Sequence, residues 1–193
     1  CSAMAMKYLG PTFDIHAGGV DLLFPHHEDE IAQSEGATGK PFVRYFIEGE
    51  HLLVDGRKMS KSLGNVYRLL DIGKRGFDSL DFRYFVLGAH YRTQLNFTWK
   101  ALEAARKSRS SLENAIERIG RGPHAGSLKD ENETLAVIAA EEKKFRSAIE
   151  DDLNTPKALA VLQGLLRYGN ALLDRRLLTR RAAKLILAAV KGF

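Results

Sequence analysis

The sequence has a single cysteine, Cys1, and no long apolar run. One cysteine cannot form an internal disulfide, which excludes the small secreted domains that disulfides hold together. No apolar stretch approaches the ~18 residues of a membrane-spanning helix, and the first residues lack the basic-then-apolar order of a signal peptide. We therefore expect a cytoplasmic protein without a membrane partner. Since the sequence also does not begin with methionine, we expect it to be part of a longer protein.

The composition is that of an ordinary globular protein, with 45% hydrophobic and 27% charged residues among 193. These proportions exclude disordered and fibrous classes and allow one mid-sized domain or two small ones. The net charge of +5 lies in the second half: residues 1–100 contain 12 basic and 12 acidic side chains, whereas residues 101–193 contain 17 and 12. A polyanionic partner for the second half explains this excess. A solvated helical surface that favours arginine explains it equally well.

The first half of the chain has the pattern of an α/β fold. Runs of aromatic and β-branched residues predict three strands, at 13–16, 42–47 and 51–54. The last of them ends at the turn pair Asp55-Gly56. A polar stretch over 26–34 predicts a helix that closes near Gly36. A strand, a helix and a strand in this order are typical of α/β architecture.

From residue 98 onward the hydrophobic period becomes helical. Thr98 is a suitable N-cap for a first helix, in which residues step by three and four: Leu102, Ala105, Arg109, Leu112, Ile116 and Ile119. A glycine-rich break at 120–126 separates it from a second stripe: Leu135, Ile138, Glu142, Phe145 and Ile149.

Two further helices complete the second half. Asn154-Thr155-Pro156 is a cap with proline at the first helical position, and a leucine stripe follows it: Leu159, Leu162, Leu166 and Leu173. A shorter helix covers 185–190. The leucine stripes are most simply a core and are assigned no chemistry. The second half is predicted to be a helical bundle.

The most distinctive local sequence is Lys58-Met59-Ser60-Lys61-Ser62, which Leu63-Gly64-Asn65 follows. Two lysines three residues apart, with small hydroxyl residues between and beside them, can direct ammonium and hydroxyl groups at one oligophosphate. Lysine suits this role because it is a compact charge with mobile donors. Judged by composition alone, a solvated basic loop is the better interpretation of such a pentapeptide.

Cys1, His26 and Glu30 form a possible metal site. His26 and Glu30 are four residues apart, so on a helix they share a face and can hold one ion. Thiolate, imidazole and carboxylate are all zinc ligands. Without further information, a polar helix start and a small buried cysteine explain these residues better.

A third group surrounds the end of the first predicted strand: His16, Gly18, Gly19 and Asp21. Glycines after a strand allow a nucleotide to approach the backbone, and a nearby carboxylate can bind ribose hydroxyls. An ordinary tight turn explains the same residues. His27 adjoins the possible metal site, where a structural role suits it equally well.

The helical half has two basic clusters but no comparable motif. The first contains Arg106, Lys107 and Arg109, and the second contains Arg175, Arg176, Arg180 and Arg181. Contacts with phosphates are electrostatic and tolerate loose geometry, so phosphate binding is a reasonable hypothesis for both. A solvated helix face remains an equal alternative.

Several of these segments, taken in order, resemble the cysteinyl-tRNA synthetases, a family of class I aminoacyl-tRNA synthetases. The pentapeptide at 58–62 is similar to the class I signature loop, and the other matching segments are 1–4, 13–35, 53–56 and 151–155. The resemblance implies the second half of a Rossmann-like α/β catalytic domain, followed by an all-α helical bundle. It also implies ATP-dependent, AMP-forming ligation of L-cysteine to tRNA(Cys), with ATP and magnesium bound together.

The resemblance also implies roles for the residues above. Cys1, His26 and Glu30 match three of the family's four zinc ligands, and the fourth is a cysteine that this sequence does not contain. In the family, zinc takes the substrate thiolate as a further ligand, which separates cysteine from serine without editing. His16, Gly18, Gly19 and Asp21 match the adenylate pocket, with Asp21 on the ribose. Residues 58–62 (Lys58, Met59, Ser60, Lys61 and Ser62) match the nucleotide-binding loop, with Lys58 and Lys61 as catalytic groups.

These matches predict three segments: 1–57 as the catalytic part, 58–97 as signature loop and stem-contact region, and 98–193 as a tRNA-facing four-helix bundle. No His-x-Gly-His signature occurs in the sequence, so we expect this part of the enzyme to be inactive alone. We expect the whole enzyme to be a monomer. Three alternatives stay open. One is a cysteine ligase of the mycothiol pathway, the second is a non-catalytic tRNA-binding fragment or paralogue, and the third is a structural fragment with no independent activity.

Overall fold

The computed structural model describes residues 1–192, except for the side chains of residues 128–130. The chain forms two compact units. The first contains Cys1–Val66 and Tyr91–Phe97, and the second contains Tyr67–His90 and the chain from Thr98 onward. None of the described helices has the length and apolar character that crossing a membrane requires.

The first unit contains two helices and two small sheets. Its elements are α1 (Ser2–Leu9), β1 (Phe13–Gly19), a helical turn at Leu23–His27, α2 (Glu28–Thr38), β2 (Val43–Gly49), β3 (Leu52–Val54), β4 (Arg57–Lys58) and β5 (Leu95–Phe97). β1 pairs in parallel with β2, and the register sets Gly18 opposite Glu48. β3 pairs antiparallel with β4 and parallel with β5. The parallel pairing places the C-terminal ends of β1 and β2 side by side, so Gly18 and Glu48 lie at the same edge of the sheet.

The three predicted strands are confirmed, but the predicted end of the first helix is wrong. α2 continues past Gly36 to Thr38, and it ends at Gly39, whose φ of 65° is left-handed. The Gly39 N–H donates to the Glu35 carbonyl, a C-terminal cap that glycine allows at little cost. Gly36 has open space around its α-carbon and is tolerated inside the helix.

The second unit is entirely helical in its regular structure. Its helices are α3 (Leu69–Lys74), α4 (Ser79–Leu87), α5 (Trp99–Arg121), α6 (Leu128–Glu150), α7 (Thr155–Asp174) and α8 (Arg180–Gly192). The predicted caps are present: Thr98 Oγ1 accepts the Ala101 N–H at 3.0 Å, and Asn154 Oδ1 accepts the Lys157 N–H at 3.2 Å. Pro156 is the second residue of α7 rather than the first. α8 is longer than the predicted 185–190.

The core of the second unit lies among α5, α6, α7 and α8. Its buried members include Ile119, Ile138, Leu165, Leu166, Leu173, Leu178 and Ile186. The stripe predicted for α6 is partly wrong. Ile138 is buried, but the helix turns Thr134 and Ala148 inward as well, while Leu135 and Ile149 line a surface groove. Small inward residues let α6 pack closely, and the larger apolar side chains beside them stay at the rim.

A buried ion pair joins α4 to α5. Asp81 is 1% exposed, and the Arg109 Nε donates to its Oδ1 at 2.8 Å. This hydrogen bond, followed by the Coulombic attraction of Asp81, raises the pKa of Arg109 above its ordinary value. Asp81 also accepts the Asp78 N–H at the start of α4. Arg109, which the sequence places in a candidate phosphate-binding cluster, therefore has a structural partner.

Candidate functional site

The structure brings Cys1, His26 and Glu30 together. One ligand atom from each lies within 4.8 Å of the others. Cys1 stands immediately before α1, His26 lies in the turn before α2, and Glu30 lies in the first turn of α2. The His26 Nε2 and Glu30 Oε2 atoms are 3.7 Å apart. His26 and Glu30, four residues apart, therefore lie close enough to hold one ion, although His26 precedes the helix instead of starting it.

Glu30 also contacts His16, which the sequence analysis places in the candidate adenylate pocket. Its side chain is 4% exposed, and the His16 Nε2 lies 2.8 Å from its Oε2. His16 is on β1, so this hydrogen bond ties the strand to α2. His16, His27 and Glu30 form a second set whose ligand atoms also lie within 4.8 Å of one another. A buried carboxylate with two imidazoles around it has the chemistry of a metal ligand with an outer-shell partner.

Glu48 is a member of the site that the sequence reasoning missed. Its Oε1 lies 2.7 Å from Nδ1 of His27, and the two side chains are 12% and 4% exposed. The second oxygen, Oε2, is buried without a hydrogen-bond partner in the described chain. A sequence signal could have identified Glu48. It is a carboxylate within the largely apolar strand β2, and it lies in register with Gly18 of β1.

Gly18 provides the space for the His27 ring. A β-carbon built on Gly18 would lie 2.6 Å from Cε1 and 2.8 Å from Nε2 of His27. The ring cannot move aside easily, because Glu48 holds Nδ1 and Phe46 lies 5.4 Å from it between ring centroids. The sequence predicts Gly18 as a nucleotide contact, and the structure adds that this position must be small for His27 to pack.

Gly18→Ala is therefore expected to destabilise the protein by about 1–3 kcal/mol, the usual cost of overpacking a tight site. Urea unfolding of the 193-residue chain, followed by far-UV circular dichroism, measures the change. Gly36→Ala is the matched control, since its β-carbon meets open space within α2 and alanine favours the helix by about 0.5–1 kcal/mol. A Gly18→Ala variant as stable as the unmodified chain would contradict the assignment.

Asp21 lies in the turn after β1. Its side chain is 57% exposed, and its Oδ1 is 4.0 Å from Nδ1 of His51. A β-carbon on Gly19 would lie 2.5 Å from this same oxygen, so Gly19 must be small for Asp21 to adopt this position. The turn is held by the Val20 N–H, which donates to the Gly49 carbonyl at 3.0 Å. Asp21 is thus an accessible acceptor on a defined turn.

The predicted phosphate loop begins at the end of β4 and is organised by Asn65. Asn65 Oδ1 accepts the Ser60 N–H at 2.8 Å, and its Nδ2 donates to the Lys58 carbonyl at 3.2 Å. Ser60 and Ser62 hydroxyls are 2.6 Å apart. Lys58 and Lys61 are exposed, and their side chains form no ion pair within the described part of the chain. The backbone of the loop is fixed while both ammonium groups are available to a ligand.

The predicted groups are joined only in part. His16 joins the metal-ligand group through Glu30, whereas no hydrogen bond or ion pair among residues 1–192 links Lys58 or Lys61 to His16 or Asp21. The first unit therefore contains two separate features. One is a buried cluster of carboxylates and imidazoles, and the other is an exposed basic loop.

The comparisons with known proteins decide the family. Residues 1–107 match the family described as "tRNA synthetases class I (C) catalytic domain". The chain belongs to this family. Residues 144–191 match the DALR domain. The class I (C) synthetase match covers the first unit, α3, α4 and the start of α5, and the DALR match covers the end of α6 through most of α8. This confirms the predicted order of an α/β catalytic part followed by a helical bundle.

Curated relatives agree with the family. The chain is 48% identical over 175 residues to the cysteine–tRNA ligase of Symbiobacterium thermophilum, with 89% of this chain and 37% of the relative covered. It is 42% identical over 193 residues to the cysteine–tRNA ligase of Protochlamydia amoebophila, with 100% of this chain and 40% of the relative covered. It is 48% identical over 181 residues to that of Methanosarcina mazei, with 90% of this chain and 37% of the relative covered. The chain thus spans 37–40% of the length of these relatives.

A solved structure of a leucyl enzyme illustrates the same fold. It is the ternary complex of Agrobacterium radiobacter K84 agnB2 LeuRS, tRNA and LeuAMS, with a TM-score of 0.69 and 18% identity. The match covers 93% of this chain and 26% of the LeuRS chain. At this identity the likeness concerns the fold alone, and it agrees with that of a class I synthetase.

Proposed function

We propose that the complete protein joins L-cysteine to tRNA(Cys) in an ATP-dependent reaction, and that this chain supplies the cysteine-recognising half of its catalytic domain. The observation on which the proposal depends is the convergence of Cys1, His26 and Glu30, with ligand atoms within 4.8 Å, in a class I (C) synthetase. The name of the curated relatives, cysteine–tRNA ligase, supports the same substrate.

The residues of this group fit zinc. A thiol, an imidazole and a carboxylate are the donor types that zinc prefers, and Glu30 is a buried carboxylate close to the imidazoles of His16 and His26. Bound zinc would supply a Lewis acid that prefers a thiolate to a hydroxyl. The hydrogen bond from His16 orients Glu30, and the His27–Glu48 pair closes the side of the site next to Gly18.

ATP with magnesium is proposed to bind between the turn after β1 and the loop at residues 58–62. Gly18 and Gly19 bring the backbone close to the adenylate, and Asp21 is an exposed acceptor for ribose hydroxyls. A cysteine carboxylate oxygen attacks the α-phosphorus, and the bond to pyrophosphate breaks. Lys58 and Lys61, with Met59, Ser60 and Ser62 between and beside them, stabilise the charge that moves onto pyrophosphate.

The second step transfers the cysteinyl group to RNA. A hydroxyl of the 3′-terminal adenosine attacks the cysteinyl carbonyl carbon, and AMP leaves. Residues 58–97 are proposed to include the stem-contact region, and residues 98–193 to form the part of the protein that faces tRNA. The excess of 17 basic over 12 acidic side chains after residue 100 supports this assignment. The complete protein is proposed to act as a cytoplasmic monomer.

Two activities of the complete protein test this proposal. ATP–pyrophosphate exchange is expected with cysteine and not with serine, because a hydroxyl is a poor partner for zinc. Radiolabelled cysteine is then expected on a tRNA(Cys) transcript. Exchange that ignores the amino acid would overturn the proposal. Exchange with cysteine but transfer to an amino-sugar instead of tRNA would favour the mycothiol-pathway alternative.

A further inference from the structure

Glu48 is a largely buried acid near the end of β2. Within the described chain, it forms no hydrogen bond or ion pair with the proposed zinc ligands. Its Oε1 lies 2.7 Å from Nδ1 of His27, whereas its Oε2 is buried without a hydrogen-bond partner among the described residues. Burial of a carboxylate oxygen without a donor is unfavourable, so an apolar side chain would serve packing better at this position. The contact with His27 is therefore the reason to look for a function of Glu48.

His27 lies between two of the proposed zinc ligands along the chain. His26 precedes it directly, and Glu30 follows three residues later in the first turn of α2. Within the described chain, neither the turn at Leu23–His27 nor α2 has a side-chain hydrogen bond at its N-cap. A hydrogen bond between His27 and Glu48 instead ties this turn to β2. Since both ligands belong to one short segment, the position of His27 fixes the backbone that carries them.

The His27 ring is held on four sides. Glu48 contacts its Nδ1, and Gly18 of β1 leaves just enough room for its Cε1 and Nε2 atoms. The ring centroid lies 5.4 Å from that of Phe46 and 4.8 Å from that of His16. A carboxylate oxygen can only accept, so the Nδ1–H of His27 donates to Glu48. This hydrogen bond decides which nitrogen faces β2, a choice that apolar contacts do not make.

The contacts of His27 continue to Glu30 through a second imidazole. The His16 ring packs edge-on against the His27 ring, and the Nε2 atom of His16 lies 2.8 Å from Oε2 of Glu30. Phe46 packs against both rings, at 5.4 and 5.6 Å between centroids. A displaced His27 would therefore loosen the ring that orients Glu30. Glu48 thus acts on this carboxylate by two routes, the backbone of the turn and the ring of His16.

We propose that Glu48 is a positioning residue for the zinc site. Its carboxylate holds His27, and His27 holds the segment that carries His26 and Glu30. Partners that orient metal ligands from outside the coordination sphere contribute about 10–100-fold to metal affinity. The carboxylate is kept, with one oxygen unpaired, because the turn before α2 needs an acceptor on β2. This inference rests on the proposed function, since it takes the zinc ion from it.

The zinc affinity of the complete protein tests the role of Glu48. Competition with a chromophoric chelator measures the affinity. Glu48→Leu removes the acceptor and is expected to bind zinc about 10–100-fold more weakly than the unmodified protein. Glu48→Gln keeps an amide oxygen that can accept from His27, so it is expected to recover most of this loss. Glu50→Leu is the matched control, because this acid accepts the His51 N–H at 3.2 Å instead, and it is expected to retain full affinity.

Unfolding of the metal-free complete protein in urea separates positioning from general support of the fold. Glu48→Leu removes one hydrogen bond together with a buried oxygen that has no donor, so the unfolding midpoint is expected to change little. A purely structural role predicts the reverse, with a lower midpoint and an unchanged zinc affinity. That result would overturn the proposal.

A double-mutant cycle tests whether Glu48 acts through His27. If it does, Glu48→Leu/His27→Ala is expected to bind zinc no more weakly than His27→Ala alone, because the second change removes a contact that is already lost. Losses that add in the double variant overturn the proposal, as does full zinc affinity in Glu48→Leu. Absence of zinc binding by the unmodified complete protein would instead overturn the proposed function, and this inference with it.

Discussion

Lys61→Ala in the complete protein is expected to lower the rate of cysteine-dependent ATP–pyrophosphate exchange about 100-fold. Removal of a single donor that stabilises developing charge costs about 10²–10³ in rate, and Lys61 is exposed on a loop whose backbone Asn65 already fixes. The loss is expected mainly in kcat, because the charge on pyrophosphate grows in the transition state.

The stability of the Lys61→Ala variant is expected to be unchanged, since the Lys61 side chain forms no ion pair or hydrogen bond in the described chain. Its thermal unfolding midpoint is measured beside the exchange rate. Lys40→Ala is the matched control, because Lys40 is an exposed lysine just after α2, outside the 58–62 loop. Exchange that survives undiminished in Lys61→Ala would falsify the role of this lysine, whatever the control does.

Glu30→Gln in the complete protein is expected to lower zinc affinity by more than 100-fold. Loss of an outer-shell partner costs about 10–100-fold, and Glu30 is proposed to contact the metal directly. Glutamine keeps the volume of the buried side chain, which is 4% exposed, but removes its negative charge. Zinc content after dialysis against competing chelators, measured by mass spectrometry, reports the affinity.

Two further variants make the zinc result specific. Glu28→Ala removes an exposed acid from the same first turn of α2, and it is expected to retain full zinc content. Glu30→Ala removes volume as well as charge and is expected to lose both zinc and stability, because His16 then lacks its partner. Full zinc content in Glu30→Gln would rule out this residue as a ligand.

Local residue order was enough to predict most of the elements. Strands at β1, β2 and β3 follow from aromatic and β-branched runs, and the helix starts at Thr98 and Asn154 follow from side chains that accept backbone N–H groups. The helix ends were harder to predict. Gly36 and Gly39 both qualify as terminators, and the choice depends on which one adopts the left-handed conformation with a carbonyl in reach.

The sequence by itself determined the family and proposed the candidate ligands, because ordered motifs such as Lys58–Ser62 and the spacing of His26 and Glu30 depend only on neighbours along the chain. Only the tertiary structure decided which partners the candidate side chains bind. In the folded chain, His16 is hydrogen-bonded to Glu30, His27 to Glu48 and Arg109 to Asp81. These contacts join side chains 14, 21 and 28 residues apart, and such pairings arise only when buried charges must find partners during packing.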